Sequence, residues 1–379
     1  MTSRERVLCA LNHEEPDRVP IFFGASGVTT MLSPAYDRLK AHLGIHRETK
    51  DFWRALQYAL LDEDVMVRCH SDARPLIPGP PPSLLPRDIS DSEFVDAWGL
   101  TWLRHPQSYY YEISVPPLAA ATIDDLDKYP WPDLTHPSRF HGLAERAKAI
   151  HTDGFAVVAL SGITPFEFAY MLRGIENWFA DLLADPEFAE ALLRKLTNLL
   201  RDAAIALLDE AGDHIDVIVV GDDLGSQEST LISPAMYRRM LKPLHVELFA
   251  AIKQRTKAKI FYHSDGNIYS LLNDLIETGI DLLNPVHVAA GAMGDTARLK
   301  REFGDRLSFC GAIDTSWVLP RGTTGDVRAE VRRRIKDLAP GGGYILSAVH
   351  CIQPDVPPQN IIAMFDEAVT AGRYPLNLR

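Results

Sequence analysis

The chain has 379 residues, 46% hydrophobic and 24% charged, enough to bury the core of one large α/β domain or two smaller ones. Its formal charge of −12, from 39 basic and 51 acidic residues, speaks against nucleic acid or an anionic membrane as principal partner. The cysteines, Cys9, Cys69, Cys310 and Cys351, are scattered without a CxxC pair and read as reduced thiols of a cytoplasmic protein.

Taken in chain order, Val7–Leu11 is too short, and too soon followed by His13-Glu14-Glu15, to be a secretory signal. No apolar run approaches the roughly 18 residues of a membrane span. The first strand-like run is Val19–Phe23 (VPIFF), and Val65–Cys69 (VMVRC) is a weaker one. Residues 71–132 then break the rhythm, with Pro75, Pro78, Pro80, Pro81, Pro82 and Pro86 beside Trp98, Trp102 and Tyr109–Tyr111. This segment is expected to be an insertion covering the active-site region, with a small antiparallel piece of its own. Six apolar runs follow: Val157–Gly162, Val217–Asp223, Ile260–Gly266, Leu282–His287, Ser308–Asp314 and Tyr344–His350. Continuous runs of this kind suit parallel strands buried on both faces. Amphipathic stretches lie between them; Ser233-Pro234 opens one, and Val327, Val331, Ile335 and Leu338 mark another. About eight β–α alternations over residues 1–379 predict a single (β/α)8 TIM barrel, with a doubly wound sheet as the competing arrangement.

In such folds ligands meet the carboxyl ends of the strands. Several predicted strands end there in polar groups: Asp222-Asp223, His263-Ser264-Asp265, His287, Asp314 and His350-Cys351. His263, Asp265 and His350 can supply nitrogen and oxygen ligands to one divalent metal, the three-ligand layout of a catalytic zinc site. Cys351 is an alternative ligand, although adjacent strand residues face opposite ways. Against this stands the ordinary fate of strand-end histidines, which is hydrogen bonding to backbone. Asp222 and Asp223 are candidates to orient substrate, hold a histidine or act as general base; one of them is expected to cap a helix instead. Glu167 follows another strand end and reads as a first-turn helix acid or a site residue. Gly341–Gly343 precedes a strand rather than following one, and no Gly-x-Ser-x-Gly follows a strand, so neither a phosphate loop nor a hydrolase elbow is supported.

An ordered set of segments now bears on family. Arg4-Glu5-Arg6-Val7-Leu8 with Pro16-Asp17-Arg18-Val19-Pro20, then Ser233-Pro234-x-Met236-Tyr237, His263-x-x-Gly266, Gly311-x-Ile313-Asp314-Thr315 and Pro357-x-x-Asn360-Ile361 together resemble the uroporphyrinogen decarboxylase superfamily, which includes cobamide-dependent methyltransferases. The resemblance implies a distorted barrel with a deep cleft at the strands' carboxyl ends. True decarboxylases carry arginines just after the first strand for a polycarboxylate substrate; here that stretch, Pro20–Gly27, has no cation. The methyltransferase branch holds zinc with a His-x-Cys pair and a later cysteine. His263 matches the histidine, Asp265 stands where the first cysteine would, and His350 stands at the second, with Cys351 one residue on.

The resemblance therefore implies methyl transfer between a small, O-methylated compound and a corrinoid carried on a partner protein, with a divalent metal, zinc above others, as Lewis acid. Asp222 or Asp223 would position the substrate or protonate the departing group. Three alternatives stand beside it: a decarboxylase of a smaller carboxylate using Arg68, Arg104 or Arg173, a metal-dependent lyase or hydrolase, and a non-enzymatic chaperone of a corrinoid protein.

Overall fold

The computed structural model describes residues 1–81 and 86–377; Pro82 of the proline cluster lies outside them. Seven parallel strands form one sheet: β1 (Ala73–Leu76), β2 (Ala156–Ile163), β3 (Val217–Gly221), β4 (Lys259–His263), β5 (Leu282–Asn284), β6 (Ser308–Ile313) and β7 (Tyr344–Ala348). Their spatial order follows the chain from β7 back to β1. Val19–Phe23 fills the eighth position. Phe22 N–H donates to Leu346 O at 3.0 Å and Leu346 N–H to Pro20 O at 2.8 Å, while Asp72 N–H, at the foot of β1, reaches Ile21 O at 2.8 Å. The curled sheet thus closes as a (β/α)8 barrel. Strands such as β6 and β7 are buried at every position, as their apolar runs require.

Two sequence expectations are corrected. Val65–Cys69 lies in a helix, Glu63–Arg68, and not in a strand. Val65, Met66 and Cys69 are buried while Val67 and Arg68 are exposed, a helical spacing that the β-branched composition disguised. The barrel strand in this region is β1, within the segment taken for insertion. Arg74 and Pro75 hide it, since proline is uncommon inside a sheet. Beyond β1, the strands Arg87–Ser90, Glu93–Val95, Thr101–Leu103 and Glu112–Val115 form an antiparallel meander.

The two ends of the barrel differ in kind. At the amino ends of the strands, Asp72 is fully buried and pairs with Arg6 at 2.7 Å and Arg18 at 2.8 Å. Asp216 likewise binds Arg4 and His151 and accepts from Val157 N–H. These pairs tie the first helix, Ser3–Leu11, under the sheet. At the opposite end β2 carries an irregularity: its register against β3 jumps between Leu160 and Ile163. Such a bulge bends the strand and opens the barrel rim. Leu160 and Gly162 from this stretch line a cavity of about 320 Å³.

Candidate active site

The cavity sits over the carboxyl ends of β2, β3 and β4. Its walls include Phe52, Trp53, Leu56 and Tyr58 from the hairpin formed by Lys50–Trp53 and Tyr58–Leu60, and Phe168 and Met171 from the helix after β2, Pro165–Arg173. Its ionisable groups are Glu167, Asp223, His263 and His350, with the Tyr58 phenol beside them; among the described residues no lysine or arginine lines it. Of residues 71–132, those described stand behind the lining, with Tyr110 packed on Leu32, Tyr58 and Cys351. The aromatic wall comes from the earlier hairpin, and Trp98 acts from behind, stacking on Phe168 with ring centroids 4.2 Å apart.

His263 ends β4 and is buried. Its Nδ1 lies 2.7 Å from Asn284 Oδ1, at the end of neighbouring β5. An oxygen acceptor there fixes the proton on Nδ1 and turns Nε2 into the site as a lone-pair donor. Nε2 lies 3.7 Å from Asp223 Oδ1 and 4.0 Å from Asp265 Oδ2. His350 arrives from the loop after β7, its Nε2 3.8 Å from the same Asp265 oxygen and its ring 5.4 Å from that of His263. One donor atom from each of His263, Asp265 and His350 falls within 4.8 Å of the others.

Asp265 shows how closely the group suits a cation. Its Oδ1 is buried without a hydrogen-bond donor. His287 Nδ1 comes within 3.4 Å but accepts Gly266 N–H at 3.1 Å, so in its neutral form it offers that oxygen no donor. Burial acts to raise the Asp265 carboxyl, yet the imidazoles of His287, His350 and His263 prevail and hold it well below the usual carboxylate range. Burial also pushes the His350 imidazole down, against the pull of Asp265, which favours the neutral, ligating form. Ligand atoms around a tetrahedral ion with bonds of ~2.0–2.1 Å stand about 3.4 Å apart, so the two contacts to Asp265, at 3.8 and 4.0 Å, would each close by about half an ångström. The residues fit a divalent metal, which His263, Asp265 and His350 would hold beside the cavity.

Cys351 stands apart from this cluster. It is buried with Leu32 and Tyr58, its Sγ is 2.9 Å from His350 Nδ1, and burial pushes its thiol up to about 12. It steadies the back of the His350 ring as a thiol. Asp222 does not reach the cavity. It is fully buried, one oxygen accepting from Phe166 N–H (2.7 Å) and Glu167 N–H (3.1 Å), the other bonded to His245 Nε2 at 3.0 Å. It caps the helix after β2 from the end of β3 and holds His245, two of the roles weighed for this pair of aspartates. Asp223 does line the cavity and accepts from Asp265 N–H at 2.8 Å. Asp314 caps the short helix behind it, accepting from Ser316 N–H at 2.7 Å.

Sequence reasoning missed Asn284 and His245. A lone polar residue inside the apolar run Leu282–Val286 was the available signal for the first. His245 lies on the buried face of Lys242–Lys253 and looks like an ordinary core histidine. The three arginines weighed for a decarboxylase point elsewhere: Arg68 pairs with Asp366, Arg173 with Asp181 and two carbonyls, and Arg104 lies over the Tyr111 ring.

Fold and site together define a (β/α)8-barrel protein with a candidate metal centre at the face where such barrels bind ligands. The family model described as Uroporphyrinogen decarboxylase (URO-D) matches residues 109–370, and the chain belongs to that family. It is 26% identical over 206 residues to a uroporphyrinogen decarboxylase of Chlorobium phaeovibrioides, covering 52% of this chain and 54% of that protein. It is 28% identical over 177 residues to the methylcobamide:CoM methyltransferase MtaA of Methanosarcina barkeri, covering 46% and 47%. These matches span about half the length of the curated relatives. A methyltransferase structure from Methanosarcina mazei superposes with a TM-score of 0.65 at 18% identity, over 98% of this chain and 99% of that one, which establishes the shared fold. No helix among the described residues is long and apolar enough to cross a membrane.

Proposed function

We propose that the protein is a corrinoid-dependent methyltransferase that takes a methyl group from a small O-methyl compound, the acceptor being a reduced corrinoid presented by a partner protein. The observation that carries this reading is the convergence of His263, Asp265 and His350 beside a cavity that, among the described residues, no lysine or arginine lines. Among the described residues no lysine or arginine lines the cavity to pair with the several carboxylates of a polycarboxylate, which disfavours the decarboxylase alternative. The relative named as a methylcobamide:CoM methyltransferase supports the methyl-transfer branch.

His263, Asp265 and His350 would hold the metal; a two-histidine, one-carboxylate set suits zinc, the redox-inert Lewis acid this reaction calls for, as well as iron(II). When bound, it supplies Lewis acidity to the oxygen bearing the methyl group. Asn284 keeps His263 in its ligating tautomer, and the backbone contact between Asp265 and Asp223 holds the carboxylate in register. The apolar walls exclude water around the methyl group, so that the acceptor competes with little else. Mixing zinc-loaded protein with free cob(I)alamin and methoxybenzene, and following the visible spectrum of the corrinoid, should show methylation that is absent from His263→Ala protein. Equal rates with and without the protein would contradict the reading.

A further inference from the structure

The geometry points to Glu167 as the proton donor to the departing oxygen, and hence to a methyl donor that is uncharged, ring-sized and apolar and that leaves as a neutral alcohol or phenol. This rests on the methyl-transfer reading and names its substrate class. Glu167 lies in the first turn of the Pro165–Arg173 helix and lines the cavity. The backbone of that turn is anchored by Asp222, and the Tyr170 hydroxyl donates to Glu167 Oε1 at 3.2 Å. The ionisable groups facing it are Asp222 and Asp223 from the β3 end, Tyr170 from its own helix, Tyr58 from the hairpin and Tyr262 from β4. None is a cation. The walls on its side, Leu160, Phe168 and Met171, are apolar.

An ionised Glu167 would therefore face two other carboxylates across an apolar space. Burial first, then Asp223 and Asp222, push its carboxyl well above the usual range. Asp222, by contrast, is held by two backbone donors and His245, and Asp223 accepts from Asp265 N–H. Asp222 is turned away from the cavity by these contacts, whereas Glu167 lines it with a tyrosine hydroxyl and no basic partner, so its proton is the one placed to reach a ligand. Glu167 lines the same cavity as His263 and His350.

The step balances without a further reagent. The methyl carbon–oxygen bond breaks and its electron pair stays on oxygen. The oxygen takes the Glu167 proton, and the methyl carbon bonds to the electron pair of the reduced corrinoid. Glu167 is left as carboxylate and regains its proton from water after product release. The walls set the donor: Phe52, Trp53 and Phe168 suit a single ring, the volume of about 320 Å³ is at the small end for ligand sites, and with no lysine or arginine among the described lining residues a carboxylated, sulfonated or phosphorylated donor would find no side-chain cation along these walls.

The test uses metal-loaded wild type and Glu167→Gln, a variant of equal size whose zinc content is checked to match. Infrared difference spectra at neutral pH should show a protonated carboxyl band in wild type that the variant lacks. Transfer to free cob(I)alamin should fall ~10²–10⁴-fold in the variant with methoxybenzene, and less than about tenfold with 4-nitromethoxybenzene, whose phenoxide leaves without a proton. Methoxyacetate should not react with wild type. Loss of the infrared band in wild type, or an equal fall with both ethers, overturns the assignment of Glu167 alone. An intact band with no transfer from any ether sinks the methyl-transfer reading and this inference with it.

Discussion

His263 can serve a metal only because Asn284 settles where its proton sits. The 2.7 Å contact to Nδ1 leaves Nε2 bare, and removing it frees the ring to turn or change tautomer. Asn284→Ala should weaken zinc binding about 10–100-fold in a competitive chelator titration while leaving circular dichroism unchanged. Unaltered affinity would mean the contact is incidental. At this scale the sequence was legible where a polar group interrupts the end of an apolar run, which is how His263, Asp265 and His350 stood out. It was not legible where two groups of similar appearance divide their tasks. Asp222 and Asp223 are neighbours, yet one turns inward to His245 and a helix end while the other faces the cavity. Only the path of the backbone distinguishes them.

Between residue and barrel, the loops after β3 and β4 are locked face to face. Gly266 has φ of +86°, and a Cβ there would come within 2.3 Å of the Gly225 carbonyl carbon. Gly221, at the end of β3, would meet His263 O at 2.5 Å. Gly266→Ala should therefore push the two loops apart, pulling Asp265 from its partners. It is expected to lower stability by about 1–3 kcal/mol and to reduce zinc affinity well beyond what that loss of stability explains. A variant that binds zinc as wild type does would show that the loop tolerates the displacement. The elements themselves were readable where apolar runs are long and uninterrupted, from β2 through β7. They failed between residues 63 and 76, where β1 is short and contains Arg74 and Pro75, and where Val65 and Val67, two positions apart on a helix, imitated a strand. The hairpin carrying Phe52, Trp53 and Tyr58 left no pattern strong enough to mark it as a cavity wall.

The barrel separates stability from chemistry along its axis. Its amino end is closed by buried ion pairs, Asp72 with Arg6 and Arg18 foremost, and its carboxyl end carries the polar cluster. Removing one partner of a buried pair leaves uncompensated charge, so Asp72→Ala should cost about 3–5 kcal/mol in urea unfolding and leave zinc stoichiometry of the folded protein unchanged. Loss of zinc without loss of stability would reverse that division of labour. Net charge and the rhythm of strands conveyed this architecture from sequence; closure of the barrel by Val19–Phe23 depends on contacts some 320 residues apart and could not be read locally. The claim on which the chemistry depends is that His263, Asp265 and His350 share one ion, and zinc-edge X-ray absorption on the purified chain tests it most directly. The account predicts one zinc per chain in a shell of nitrogen and oxygen only, lost from His263→Ala and His350→Ala and kept in Cys351→Ala. Sulfur in the first shell, or zinc retained by both histidine variants, would contradict it.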